Sequence, residues 1–198
     1  MPDLSDRNKY EAAIVVLLLQ AFAAFRAEGR LDEFQAAWAR LQEEVAAAIA
    51  EVIPKVFEDA AAVLGAEHGA DSDVSSQAAA YVATRSQESA TRVVRTTIKS
   101  ISTGTPPEEA LSKEKAEQIA ATEVTAAISA GEAAIAGLLL VIANVQIIPI
   151  WHTERDEKVC PVCAPLNGTG AEVYGRVSPS GPPAHPRCRC WLDYEVAT

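Results

Sequence analysis

The chain has 198 residues, enough for a buried core, with 49% hydrophobic and 22% charged residues. Alanine supplies 38 residues, 34 of them before residue 144, while aromatics make up only 6%. That excludes collagen and extended disorder, and the net charge of −10 argues against a general nucleic-acid coat or a polybasic membrane binder.

The opening Met1-Pro2-Asp3-Leu4-Ser5-Asp6 is acidic where a secretory signal would be basic. A first helix is expected from Ser5 to Glu28, with Ser5 as cap and Gly29 as stop. Its wide apolar face comprises Tyr10, Ile14, Leu17, Leu18, Ala21 and Phe25. The apolar run from Ala12 to Phe25 is short for a membrane span.

A second helix is expected from Leu31 to Leu64, stopping at Gly65. Leu31, Phe34, Trp38, Leu41, Val45, Ala48, Val52 and Val56 recur at spacings of three and four, which makes one stripe of a helix. Such a helix would be roughly 50 Å long, with a kink at Pro54. The polar stretch from Glu67 to Asp73 reads as a loop, and His68 within it as a solvated side chain.

A third helix is expected from Val74 to Ile101. Arg85, Arg92, Arg95 and Lys99 share a quarter of its surface, and Glu88 is the only acid between those limits. Two readings are open: a solvated face, or a docking face for an acidic partner or for nucleic-acid phosphates. Thr105-Pro106-Pro107-Glu108 then reads as a cap, a proline at the first helical position and a capping-box acid. A fourth helical region continues to Ala143, with breaks expected near Ser112 or Gly131.

After Asn144 the pattern changes. Residues 150–198 carry only one excess negative charge, and all four cysteines fall between Cys160 and Cys190. Gln146 to Trp151 is β-branched and aromatic, so a strand is expected, with Pro149 favouring an edge. Asn167-Gly168 and Ser178 to Pro183 are turn-rich, and Arg189 to Val196 suits a closing strand. Trp151 and Trp191 are expected to pack on these strands.

Cys160-Pro161-Val162-Cys163 and His185-Pro186-Arg187-Cys188-Arg189-Cys190 are the strongest chemical signal. A C-x-x-C turn can present two thiolates to one tetrahedral zinc, and the second cluster can complete the shell. So short a module builds little core alone, which gives a metal staple a purpose. Four of the five donors Cys160, Cys163, His185, Cys188 and Cys190 are expected to hold a structural Zn2+. Disulfide pairing and a metal-free cluster are the alternatives, and the former is disfavoured in a reducing compartment.

Catalytic readings fit less well. His152-Thr153-Glu154 before Cys160 imitates the zinc deaminase signature, but only five residues separate the halves and Val159 replaces the proline. The C-P-V-C run lacks a thioredoxin-like βαβ context. A zinc-supported HNH-type nuclease is the better enzyme alternative, suggested by the cysteine pairs and the Arg155-Asp156 step. It would need a histidine base, and only His152 and His185 are available. A DNA-binding accessory protein is the other rival.

The run Trp151-x-Thr153-x-x-Asp156-x-x-Val159-Cys160-x-x-Cys163-x-x-Leu166-x-Gly168, closed by Pro183-x-His185-Pro186-x-Cys188-Arg189-Cys190, resembles the Mu F-like head-morphogenesis family of tailed bacteriophages, the minor head proteins. Ile119-Ala120-Ala121-Thr122-Glu123, with Gly131 eight residues later, resembles the helix before the cysteine module in that family, which often has Arg where Ala121 stands. The resemblance spans about Lys113 to Val196. It implies a virion protein of low copy number that associates with the portal protein or the major capsid protein during assembly in the host cytoplasm, with contact to packaged DNA in some relatives.

The reading is a mainly α protein: a long-helix bundle-like body over residues 1–144 and a small C-terminal β-rich zinc-binding module over 145–198. An assembly component is expected, not an enzyme, with no membrane and no small-molecule substrate.

Overall fold

The computed structural model describes residues 4–27, 34–67, 75–143, 146–154 and 159–197. The expectations at Gly29, Leu31, His68, Asn144 and the Arg155-Asp156 step lie outside these residues.

Four long helices form the body: α1 (Leu4–Ala27), α2 (Phe34–Glu67), α3 (Ser75–Ser102) and α5 (Lys113–Ala143), with the single turn α4 (Pro107–Ala110) between the last two. The helix α2 is central and packs against α1, α3 and α5, while α1 also lies along α5. Of the expected stripe, the described side chains Trp38, Leu41, Val45, Ala48, Val52 and Val56 are buried, and Ile49 and Ile53, outside that stripe, are buried with them. Leu41, Val45, Ile49, Ile53 and Val56 of α2 meet Ile14, Leu18 and Phe22 of α1, and Ala116, Ile119, Ala120, Val124 and Ala127 of α5. Each large aliphatic or aromatic side chain so buried contributes about 1.5–3 kcal/mol, and the alanines between them let the helix axes approach. α2 and α5 come close at Gly131: a Cβ there would run into the Phe57 carbonyl oxygen and sit 3.3 Å from the Ala60 Cβ.

Several boundaries differ from expectation. The helix α1 already includes Ser5, and α2, with Pro54 inside it, continues past Gly65 to Glu67. The cap of α4 is Pro106, not Thr105. A residue preceding proline is driven out of the helical region, and Pro106 is extended (φ −58°, ψ 141°), so the helix starts at Pro107. The fourth region breaks at Leu111-Ser112 and is continuous through Gly131.

By length and composition, Arg7–Ala27 and Pro107–Val141 could each cross a membrane. In this fold their apolar side chains Ile14, Leu18, Phe22, Val124 and Ile135 are buried inside the protein.

The C-terminal module holds a three-stranded antiparallel sheet in the order β2-β1-β3. Its strands are β1 (Ile147–His152), β2 (Thr169–Gly170) and β3 (Trp191–Val196). A 3-10 turn at Ala164–Leu166 and the one-turn helix α6 (Ala171–Tyr174) fill the connection. Pro149 therefore lies on the central strand, contrary to the edge expected for it. It is tolerated because β2 reaches only Ile150 and Trp151, leaving Pro149 paired on one flank, with Tyr194. The sheet rests on α5: Ile147 and Tyr194 pack against a second apolar cluster formed by Phe57, Ala61, Leu64, Ala78, Ile135 and Leu139.

Candidate metal centre

The module has its own core: Trp151, Leu166, Tyr174 and Leu192 together with Cys163, Cys188 and Cys190. Trp151 is fully buried and its ring meets Tyr174 at 5.5 Å between centroids. Three thiols thus occupy positions where a globular core would carry aliphatic groups.

Local backbone geometry aims them. In the C-x-x-C turn, the Cys163 amide donates to the Cys160 carbonyl (3.1 Å) and to the Cys160 Sγ (3.3 Å), and the Ala164 amide donates to the same carbonyl (3.0 Å). The second cluster turns at Arg187, whose φ of 61° lies in the left-handed region, a conformation costing roughly 1–2 kcal/mol for a residue with a Cβ. Contacts to α5 hold it there. The Arg187 amide donates to Thr122 Oγ1 (3.1 Å) and its guanidinium to the Glu114 carbonyl (2.7 Å).

The five expected donors do come together. Cys160, Cys163 and His185 place their donor atoms within 4.8 Å of one another, as do Cys163, Cys188 and Cys190, so Cys163 is common to both triads. His185 Nε2 is 2.9 Å from Cys160 Sγ and 3.2 Å from Cys163 Sγ, and the Cys163 and Cys188 sulfurs are 3.9 Å apart. Tetrahedral thiolates at about 2.3 Å from zinc stand about 3.8 Å from each other, so the last spacing fits without adjustment. A cavity of about 20 Å³ lies among Cys160, Cys163, His185 and Cys190. His185 is oriented for ligation: a carbonyl can only accept, so Nδ1 donates to the Pro186 oxygen (2.8 Å) and leaves the Nε2 lone pair facing the sulfurs.

The thiols are electrostatically coupled. The Cys190 thiol and the backbone of Cys190 and Ala184 hydrogen-bond the Cys188 sulfur and hold it well below the ordinary thiol range. Burial, then the neighbouring Cys188 charge, pushes Cys163 up, and the hydrogen bond to Cys188 pushes Cys190 up. Thiolates buried this close together repel one another, and a divalent cation supplies the positive charge that they require. All four cysteines are free thiols. The donor set can therefore hold a metal ion.

The module is bolted to the body through this loop. Arg7 of α1 is buried and donates to Thr125 Oγ1 (2.7 Å), the Cys188 carbonyl (3.3 Å) and the Arg189 carbonyl (3.4 Å). Thr125 Oγ1 in turn donates to the Cys188 carbonyl (2.8 Å). Sequence reasoning missed Arg7, which has no local pattern to reveal it.

The expected cationic face on α3 is divided. Arg85 Nε and Arg92 Nη2 each pair with one oxygen of Glu123, at 2.9 and 2.7 Å, and that carboxylate is fully buried. Arg95 and Lys99 are exposed. His152 stands outside the donor triads. Its ring stacks on Trp191 (5.8 Å between centroids, 18° between planes), with Nε2 3.9 Å from Asp193 Oδ2.

The family model described as Phage Mu protein F like protein matches residues 79–193. The chain belongs to this family. The matched stretch takes in most of α3, with Arg85 and Arg92, all of α5 with Glu123 and Gly131, and every one of the five metal donors. Membership places the chain in a setting of bacteriophage head morphogenesis. No curated protein and no solved structure matches it.

Proposed function

We propose that this protein is a minor head protein of a tailed bacteriophage, a structural component that docks on the portal protein or the inner face of the major capsid protein during head assembly. The observation that carries the reading is the family match, which covers α5, most of α3 and nearly all of the C-terminal module. The part played is recognition, not turnover. The helices present a long rigid surface, and four of Cys160, Cys163, His185, Cys188 and Cys190 hold a structural Zn2+ that fixes the module's loops. Such an ion, with its shell filled by protein donors, leaves no position for an activated water. The virion near the portal vertex is the site of action, with packaged DNA as a neighbour.

The test is enrichment. A tagged chain expressed during infection is expected to co-purify with procapsids and with the portal protein. Absence from procapsids and virions alike, with the protein soluble and intact, would overturn the assembly reading. A divalent-metal-dependent DNA cleavage abolished by His152→Ala would replace it with a nuclease.

A further inference from the structure

A second hollow lies beside the metal loop. It is a cleft of about 940 Å³ between α3, α5 and the segment 178–186, far larger than a single ion needs and at the upper end for bound ligands. One wall is the segment 178–186, with four prolines and no acidic or basic side chain other than His185. The opposite wall carries Arg85, Arg92 and Lys115 against only Glu88 and Glu123. Three cations less two anions leave the wall positive, in a chain whose net charge is −10.

The cations are not exhausted by the acids. Glu123 engages one nitrogen of each arginine, and the Arg92 side chain is still 51% exposed. Lys115 sits half-buried with its ammonium on Gln118 Oε1 (3.3 Å). Burial, then the like charge of Arg92, depresses the Lys115 pKa, so the two cations face the same space. We propose that this cleft receives an extended segment of a partner polypeptide, anchored by an acidic side chain that pairs with Arg92 and Lys115. The inference rests on the assembly reading and names the surface through which it acts.

The chemistry favours a peptide over nucleic acid. Single-strand grooves stack successive bases on aromatic side chains, and among the described residues lining this cleft Tyr81 is the only Phe, Tyr or Trp. The acidic surroundings also repel a long polyanion. A single carboxylate on a mostly apolar strand meets both walls: prolines on one side, cations on the other.

Fluorescence anisotropy of the full chain with a labelled proline- and alanine-rich hexapeptide bearing one glutamate tests the proposal, using the same peptide with glutamine in place of the glutamate and oligothymidylate as comparison probes. The glutamate peptide is expected to bind and to weaken with salt. Lys115→Gln, which leaves the Glu123 pairs intact, is expected to reduce affinity about tenfold, and an Arg95→Gln/Lys99→Gln double variant to leave it unchanged. No binding of the glutamate peptide, equal binding of the glutamine peptide, an equal loss in the outward-facing double variant, or displacement by oligothymidylate would each overturn it. If Lys115→Gln also enters procapsids normally, the cleft proposal fails while the assembly reading stands.

Discussion

Glu123 ties α5 to α3 by charge. Its carboxylate is fully buried and bridges Arg85 and Arg92 across two helices. Stripping that carboxylate of both partners leaves a buried charge unpaired, at about 3–5 kcal/mol. The Arg85→Ala/Arg92→Ala double variant is therefore expected to cost about 3 kcal/mol in urea unfolding, and Arg92→Ala alone only about 1, because that arginine is half exposed to solvent and Arg85 still holds the carboxylate. The reverse order would contradict the assignment. Arg7 makes a different kind of contact: it holds the backbone carbonyl of Cys188 and not the sulfur. Loss of an outer partner of this kind lowers metal affinity about 10–100-fold. Arg7→Ala is expected to speed metal transfer to a chelator, read with a chromophoric competitor, while Lys55→Ala on the exposed face leaves it unchanged.

At the scale of elements, the crossing of α2 and α5 is set by Gly131. Gly131→Ala drives a methyl into the Phe57 carbonyl and is expected to destabilise the protein by about 1–3 kcal/mol. Gly137 lies on the same helix with open space where its Cβ would be, so Gly137→Ala is expected to stabilise by about 0.5–1 kcal/mol. Thermal or urea melts of the two variants should move in opposite directions. Much of this level was legible in the sequence. Spacings of three and four marked the long helices, and the cysteine spacing marked the donors, because both are local patterns. Glu123 was legible in principle: it lies on the same stripe as Ala116, Ala120 and Ala127, where an acid demands a partner, and α3 supplies arginines. What stayed hidden depends on contacts distant in sequence. The place of Pro149 follows from a strand order decided by β2 and β3, and the anchoring of Arg187 depends on Thr122 and Glu114 of the body.

For the molecule as a whole, body and module are joined twice. Apolar packing joins the sheet to the ends of α2, α3 and α5, and hydrogen bonds from Arg7, Thr125 and Arg187 clamp the donor loop to the helices. The metal loop is thus placed by the bundle, and the 178–186 wall of the large cleft leads directly into His185. Ion loss should loosen that wall and the sheet while the helices, with their own core, remain. The most direct test of the account is metal analysis of full-length protein purified without chelator, paired with hydrogen exchange before and after the ion is stripped. One zinc per chain is expected, and stripping it should remove protection from β1 and β3 while α2 and α5 stay protected. Protein that carries no transition metal and still protects β1 and β3 to the same degree would contradict it.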